Sequence, residues 1–346
     1  MFCDDQTPKP HALHGAFIYT NLKRMKNFWK EIKEKKPFFA IAPMADVTDA
    51  AFRQVITKYG KPDVMWTEFC SADGLVLAPE EGRKKLQDAF IYSENERPIV
   101  AQIFGSNPEN IAKATKMVEE LGFDGVDINM GCPDRSVEKQ GSGSALMKTP
   151  DLAVEIIEAA KAAVSIPVSV KIRVGYKKDE LNEWLPKILS AGPEVVSIHA
   201  RTRKEMSKVP ADWDYIKRAV NIRNKYSGED GPLIIGNGDV NSVKEGIERF
   251  NETGCDGIMI GRGIFGKPWV FSEIEPDLGM KLNALEEHIR LYEELLPNRN
   301  FNLMKKHFKA YIEGFDGAKG LRLDLMKIEG GDEAVQVLKG WKKENL

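Results

Sequence analysis

Cys132 stands between Gly131 and Pro133 in the stretch NMGCPDRSVEKQGSGSALMK (129–148), ahead of a run with a glycine or serine at nearly every other place. Glycine and proline shape a turn there, and the Gly/Ser-rich run gives the following loop freedom to move. A cysteine is by default a core residue, but the end of an apolar strand beside polar groups is a poor place for one. Such a thiol can serve as a nucleophile, which requires a neighbouring cation or base to depress its pKa, or as a proton donor.

Other polar residues recur at comparable places. Lys171 and Arg173 are two apart on VSVKIRVG, so both face one side of a strand and need an anionic or polar partner if that side is interior. Gln102 on VAQIFG has the same need; Asn129 ends GVDIN, and Pro43, Met44 and Ala45 end FFAIAPM. His199 is followed by Arg201 and Thr202 in IHARTR. Two glycine-bearing turns, IIGNGDV with Asn237, Gly238 and Asp239 and MIGRG with Gly261 and Arg262, offer backbone N–H groups and a guanidinium to an anion. A planar, partly anionic cofactor satisfies this inventory. Flavin mononucleotide suits it, with its phosphate at the two glycine turns and its ring edge at Gln102 and Lys171. Above a flavin that donates hydride, the economical role for Cys132 is an acid that protonates a substrate carbon. An internal ion-pair network of Lys171 and Arg173 with Asp127 or Glu68 is the alternative.

The elements that must position these residues form a rhythm. Apolar, β-branched runs begin at 38, 63, 98, 125, 167, 194, 232 and 257, spaced 25 to 42 residues apart, with helical periodicity between them. Their continuous apolar character predicts strands covered on both faces. Eight strands alternating with helices predict an α/β fold, a (β/α)₈ TIM barrel whose chemistry lies at the strands' C-terminal ends, with a phosphate site after strands seven and eight. An open doubly wound sheet would carry GxGxxG after its first strand, and APMADVT has none. Beyond Phe271 only helical periods follow. The expected organisation is an N-terminal helical extension (1–37), an FMN-binding TIM-barrel catalytic domain (38–275) and a small C-terminal all-helical domain (276–346).

Composition bounds the function. Apolar residues make up 42% of the 346, enough for a substantial core, and no run reaches the length of a membrane span. No secretory signal is evident in the first 37 residues. The four cysteines, Cys3, Cys70, Cys132 and Cys255, lie far apart, which predicts reduced thiols in the cytoplasm and no metal site. The net charge of −2 excludes a uniformly basic nucleic-acid binder. The surplus is local: residues 299–327 hold seven Lys/Arg against three Asp/Glu.

Taken in order, APMADVTDAAFR, VAQIFG, GVDINMGCP, GSGSALMK, VSVKIRVG, IHARTR, IIGNGDV and GIMIGRGIFGKPWVF resemble the tRNA-dihydrouridine synthases from about Phe38 to Phe271. The C-terminal KKHFKAYIEGF and AKGLRLDLM are similar to that family's helical domain. The resemblance implies a flavin-dependent oxidoreductase that uses FMN, reduced by NADPH, to saturate the C5=C6 bond of uridines in tRNA. It implies hydride delivery to C6 and protonation of C5 by Cys132. The implied FMN contacts are Pro43, Met44, Ala45, Gln102, Lys171, His199, Asn237, Gly238, Asp239, Gly261 and Arg262. A uracil must leave its stack to reach such a site, and phosphate contacts must supply that energy. The expected tRNA contacts are Asn129, Arg173, Arg201, Lys305, Lys306, Lys309 and Arg322, with Phe308 and Tyr311 interleaved among the helical lysines. A monomer is expected, with tRNA and NADPH as partners and neither metal nor membrane. After HARTR the family often has Tyr and Gly where this chain has Met206, Ser207 and Lys208. Two rivals differ in kind: a dihydroorotate dehydrogenase-like flavin barrel acting on a small molecule, which needs no basic tail, and a flavin-free RNA-binding scaffold.

Overall fold

A computed structural model describes residues 27–272 and 274–346. All eight apolar runs form parallel strands: β1 Phe38–Ile41, β2 Met65–Ser71, β3 Ile99–Phe104, β4 Gly125–Asn129, β5 Val168–Arg173, β6 Val195–His199, β7 Leu233–Asn237 and β8 Gly257–Ile260. Hydrogen-bonded neighbours run β1-β8-β7-β6-β5-β4-β3-β2, and a parallel bridge from Ala40 to Val64 joins β1 to the approach of β2. The sheet therefore closes on itself, the (β/α)₈ barrel that the strand rhythm predicts.

Local sequence explains the helices between strands. Asn107 caps the helix Pro108–Glu120 by accepting from the Asn110 N–H at 3.1 Å, Pro108 occupies its first turn, and Gly122 at φ +90° ends it. Asp49 and Ser242 cap the helices Ala50–Gly60 and Val243–Thr253 in the same way.

The barrel interior is not wholly apolar. Gln102, Asp127 and Ser169 stand opposite one another on β3, β4 and β5 and join across the sheet. Gln102 Nε2 donates to Asp127 Oδ2 at 2.6 Å, Ser169 Oγ donates to Asp127 Oδ1 at 2.6 Å, and Asn129 Nδ2 donates to Gln102 Oε1 at 2.9 Å. This polar layer lies directly beneath the mouth.

Only the last few residues of the expected N-terminal helical extension fall within the described residues. Phe28, Trp29 and Ile32 are buried at the start of the barrel, with the Trp29 ring 5.8 Å from Phe38 and from Trp66. C-terminal helices cover Leu278–Leu295, Lys305–Tyr311, Ala318–Leu325 and Gly331–Asn345. The first packs on Ala50–Gly60 through His288, whose ring stacks on Phe52 at 4.9 Å. Gly266, at φ +65°, lets the barrel's end approach the helix Lys305–Tyr311 so closely that a Cβ would lie 2.1 Å from the Ala310 carbonyl oxygen. An Arg299–Glu68 ion pair of 2.8 Å adds a buried link from these helices to β2.

Candidate active site

The C-terminal ends of the strands enclose a cavity of about 560 Å³, within the range of cofactor-sized pockets. Each wall comes from a different strand end. Pro43 and Met44 follow β1, Cys132 follows β4, Lys171 and Arg173 end β5, and His199 and Arg201 come from β6. Asn237, Gly238 and Asp239 follow β7, and Gly261 and Arg262 follow β8. The lining carries four cations (Lys171, Arg173, Arg201 and Arg262) against a single carboxylate, Asp239. Such a cavity is built for an anionic ligand.

The Cys132 turn is held from several sides. Asn129 Oδ1 accepts from the backbone N–H groups of Gly131 at 3.1 Å and Cys132 at 2.8 Å. Arg173 Nε donates to the Gly131 carbonyl at 2.8 Å, and the Ser144 N–H donates to the Cys132 carbonyl at 3.0 Å. The Gly/Ser-rich run expected to form a free loop is instead a packed support: Ser142–Met147 are buried and Gly143–Lys148 form a 3₁₀ helix. Gly143 sits at φ +61°, where a Cβ would lie 2.8 Å from the Cys132 carbonyl oxygen, so the glycine is required for close approach. Burial pushes the Cys132 thiol up; the Asp134 N–H and Arg173 oppose this, while the carboxylates of Asp134 and Glu138 add to it. A thiol held protonated suits an acid better than a nucleophile.

Lys171 Nζ donates to Asn237 Oδ1 at 3.0 Å, and Asn237 Nδ2 donates to the Met259 carbonyl at 2.8 Å. Burial, then Arg173 nearby, lowers the Lys171 ammonium to about 8, with Asp127 opposing. An anion entering the cavity would favour the ammonium form and offset the effect of burial. Burial followed by the surrounding cations holds His199 well below the ordinary histidine range, so its ring is neutral. Arg201 Nη1 lies 3.0 Å from His199 Nε2; because a guanidinium only donates, Nε2 accepts and Nδ1 carries the proton. Asp239, at φ +54°, joins the two glycine turns: its carboxylate pairs with Arg201 and, at 2.7 Å, with Arg262. Burial raises its pKa, but Arg201, the Ala211 N–H and Arg262 outweigh that, and it stays below the usual carboxylate range.

Thirteen expected residues thus line one cavity: Asn129, Cys132 and Arg173 with Pro43, Met44, Lys171, His199 and Arg201, and the five of the two glycine turns. Gln102 is fully buried one layer below, bonded to Asp127 and Asn129, and Ala45 is exposed beside the mouth rather than in its lining. The alternative of an ion-pair network for the strand-five cations does not describe the packing. Lys171 meets an amide and Arg173 meets three carbonyls, those of Gly131, Thr202 and Met206. On the C-terminal helices, Lys305 and Lys306 are half-buried and Lys309 is exposed, while Arg322 donates to the Ile312 carbonyl at 2.7 Å. Phe308 and Tyr311 are core residues, so the interleaved aromatic face expected there does not exist.

Sequence reasoning missed Phe69, which lines the cavity from the end of β2, and Ser207 from the β6 loop. Phe69 was legible as the last apolar residue of DVMWTEF; Ser207 had no signal. Also missed were Glu138 and Arg203, which flank the Cys132 turn.

The family model described as dihydrouridine synthase (Dus) matches residues 40–345. The chain is 40% identical over 326 residues to the probable tRNA-dihydrouridine synthase 2 of Bacillus subtilis (strain 168), covering 93% of this chain and 98% of that protein. It is 40% identical over 318 residues to the probable tRNA-dihydrouridine synthase of Staphylococcus aureus (strain COL), covering 90% and 95% of the two. Among solved structures, histamine dehydrogenase from Rhizobium sp. 4-9 aligns with 73% of this chain and 48% of its own at a TM-score of 0.49 and 14% identity, a likeness too slight to build on. The match to the family model, and relatives aligned along almost their full lengths, establish that the chain belongs to the dihydrouridine synthase family.

Proposed function

We propose that this protein reduces uridines in tRNA to 5,6-dihydrouridine, with FMN as bound cofactor, NADPH as reductant and Cys132 as the proton donor. The observation that carries the reading is the shared cavity: a protonated thiol on a braced turn faces the same space as four cations and two glycine turns. The two glycine turns and Arg262 fit a phosphate; Lys171, Asn237 and His199 offer donors at the depth of a polar ring edge; Pro43 and Met44 supply an apolar wall. Gln102 supports this set from below by holding Asn129.

When bound, FMN supplies the hydride that C6 of the pyrimidine receives. The chain's own residues supply the rest. Cys132 gives its proton to C5 as the C5=C6 bond is saturated, and the resulting thiolate regains a proton from solvent. Arg173 and Asn129 hold the turn so that the sulfur keeps its place while the charge develops. Asn129 is thus a positioning residue, and Arg173 acts mainly through the Gly131 carbonyl. Arg201 fixes the His199 tautomer. The uracil reaches this mouth only after leaving its stack, which costs a few kcal/mol. Lysines of the C-terminal helices, Lys305 and Lys309 among them, are proposed to meet the RNA backbone there. The cytoplasm, where tRNA and NADPH are both present, is the proposed compartment, and the barrel with its helices is proposed to act as a monomer. No described helix is long and apolar enough to cross a membrane, and no described cluster of His, Cys, Asp and Glu is arranged to hold a metal.

The test is direct. Purified protein should show the visible absorbance of a bound flavin, as the cofactor carries the redox chemistry, and should form dihydrouridine in unmodified tRNA with NADPH. Flavin turnover on a small pyrimidine, with tRNA left untouched, would move the protein to the small-molecule reading.

A further inference from the structure

Asp127 is fully buried in the middle of β4, outside the lining of the cavity, and the proposed reaction leaves it unused. A carboxylate kept from water is costly unless its oxygens are satisfied. Burial raises its pKa to about 6, while the hydrogen bonds from Gln102 and Ser169 and then the Lys171 charge oppose this. Both of its oxygens accept, Oδ2 from Gln102 Nε2 and Oδ1 from Ser169 Oγ, each at 2.6 Å. Neither partner is a cation, so the reason for a carboxylate there lies in what it accepts.

The hydrogen bonds that rise from Asp127 to the mouth have a direction. Asn129 Oδ1 faces the N–H groups of Gly131 and Cys132, so its Nδ2 is turned down to Gln102 Oε1. That leaves Gln102 Nε2 pointing at Asp127. A carboxamide has a donor at one end and an acceptor at the other, and a half-turn exchanges them. The Ser169 hydroxyl can also do either. An ionised carboxylate only accepts, so Asp127 fixes the sense of the whole chain from below. With that sense reversed, Asn129 Nδ2 would meet two backbone N–H groups, leaving buried donors without acceptors. Among the described residues nothing else accepts from those two N–H groups.

We propose that Asp127 is a positioning residue for Cys132: its carboxylate sets the orientation of the Gln102 and Asn129 amides and so holds the thiol-bearing turn from beneath the cavity. Its part in catalysis rests on the proton-donor reading of Cys132 above; the orientation itself does not. Asp127 bonds neither to the turn nor to the cavity lining at Cys132, and it acts through the two amides.

The experiment begins with Asp127→Asn, which keeps the shape but removes the fixed sense, because an amide can either accept from Gln102 or donate to it. Adding Gln102→Glu restores the sense one step higher. The new carboxylate then stands between two amide donors and again turns Asn129 Oδ1 to the N–H groups. Hydrogen exchange of segment 130–132, read by mass spectrometry on the full chain, reports those N–H groups directly. In Asp127→Asn they should exchange at least about tenfold faster than in wild type, the scale of one lost hydrogen bond, with β4 and β5 as protected as before. The same variant should lose about tenfold in kcat with KM for tRNA and flavin occupancy held, since the turn and not the binding is loosened. The double variant should bring exchange back to within about threefold of wild type. Wild-type exchange in Asp127→Asn, or a double variant no better protected than the single one, would overturn the proposal. Faster exchange with unchanged kcat would also overturn it, as the hold on the turn would then not serve the reaction. Loss of protection throughout β4 and β5, or failure of both variants to fold, would make Asp127 a general support of the core and overturn it too. If wild type forms no dihydrouridine while exchange behaves as expected, the proton-donor reading falls, and Asp127's part in catalysis with it, but the orientation stands.

Discussion

Glu138 and Arg203 close a two-point ion pair that ties the helix after the Cys132 turn to the loop after β6. Arg203 Nε donates to Glu138 Oε1 at 3.0 Å and Nη2 donates to Oε2, and the Glu138 side chain is only 10% exposed. Ser144 Oγ also donates to Glu138 at 2.9 Å, and Ser144 is the residue whose N–H holds the Cys132 carbonyl. The ring of Tyr176, from the loop after β5, sits beneath both Arg203 at 5.3 Å and Lys148 at 4.0 Å. Three loops are thereby fastened around one thiol.

Glu138→Gln should loosen that fastening without emptying the site. Breaking a charge-assisted pair at a largely buried position costs about 1.5–3 kcal/mol of local stability. Some of this should appear as misplacement of the sulfur, with dihydrouridine formation falling about tenfold in kcat and tRNA KM nearly constant. The charge-reversed double variant Glu138→Arg with Arg203→Glu should recover part of the loss. A double variant no better than the worse single one would show that the pair does not act through its charge.

Cys132→Ala removes the proposed acid and should reduce dihydrouridine formation by about 10²–10⁴-fold, the usual weight of general acid catalysis. Flavin absorbance should persist, because no flavin contact is assigned to the sulfur. The pH profile carries the sign. The protonated thiol is the active form, and burial raises its pKa, so wild-type activity should hold through the ordinary cysteine range and decline only on its alkaline side. A decline on the acid side of neutrality would indicate a thiolate nucleophile instead.

Arg262→Ala tests the phosphate end of the cavity. Its guanidinium is 60% exposed and at present satisfies Asp239 at 2.7 Å, so its loss should leave the barrel's stability within about 0.5 kcal/mol. Flavin retention should weaken by about tenfold, near the 1.4 kcal/mol expected of one lost charge-assisted contact. Equilibrium dialysis against FMN measures it. Unaltered affinity would remove the phosphate from the β7 and β8 turns.

The barrel was legible because its evidence is local and repeated. GVDINMG and PVSVKIRVG read as buried strands wherever they stand, and the polar residues at their ends had no place to go but the mouth. Lys171 and Arg173 illustrate where that reasoning stops. Their two-residue spacing correctly put them on one face, but not that Lys171 would meet Asn237 while Arg173 turned to three backbone carbonyls. Glu138 and Arg203 are 65 residues apart with no pattern connecting them, so only closure of the barrel pairs them. Phe308 and Tyr311 failed differently. Aromatic residues among lysines look the same on a helix that binds RNA as on one that buries a stripe, and here packing against the barrel decided the matter.

That packing also makes the junction between barrel and helices sensitive to acid. His288 and His307 are buried there with their rings 4.6 Å apart, and none of their four ring nitrogens has a hydrogen-bond partner among the described residues. Phe52 stacks on His288 at 4.9 Å and Phe265 on His307 at 5.6 Å, so neither ring can meet water without separating the two layers. Burial lowers His288 to about 3 and, with His288 beside it, drives His307 well below the ordinary range. A histidine whose folded pKa is depressed contributes stability that is complete above its unfolded pKa of about 6.5 and is lost as pH falls below it. Each should give a slope of about 1.4 kcal/mol per pH unit in that window. Asp49 works in the opposite sense, since burial followed by Glu68 raises it to about 7 and favours its protonated folded form. The histidine contribution is therefore best read as a difference. Urea unfolding between pH 7 and 5 should show wild type losing stability faster than His288→Leu, by about that slope. Parallel pH profiles for the two proteins would mean that the imidazoles find partners, and the junction would then owe its stability to packing alone.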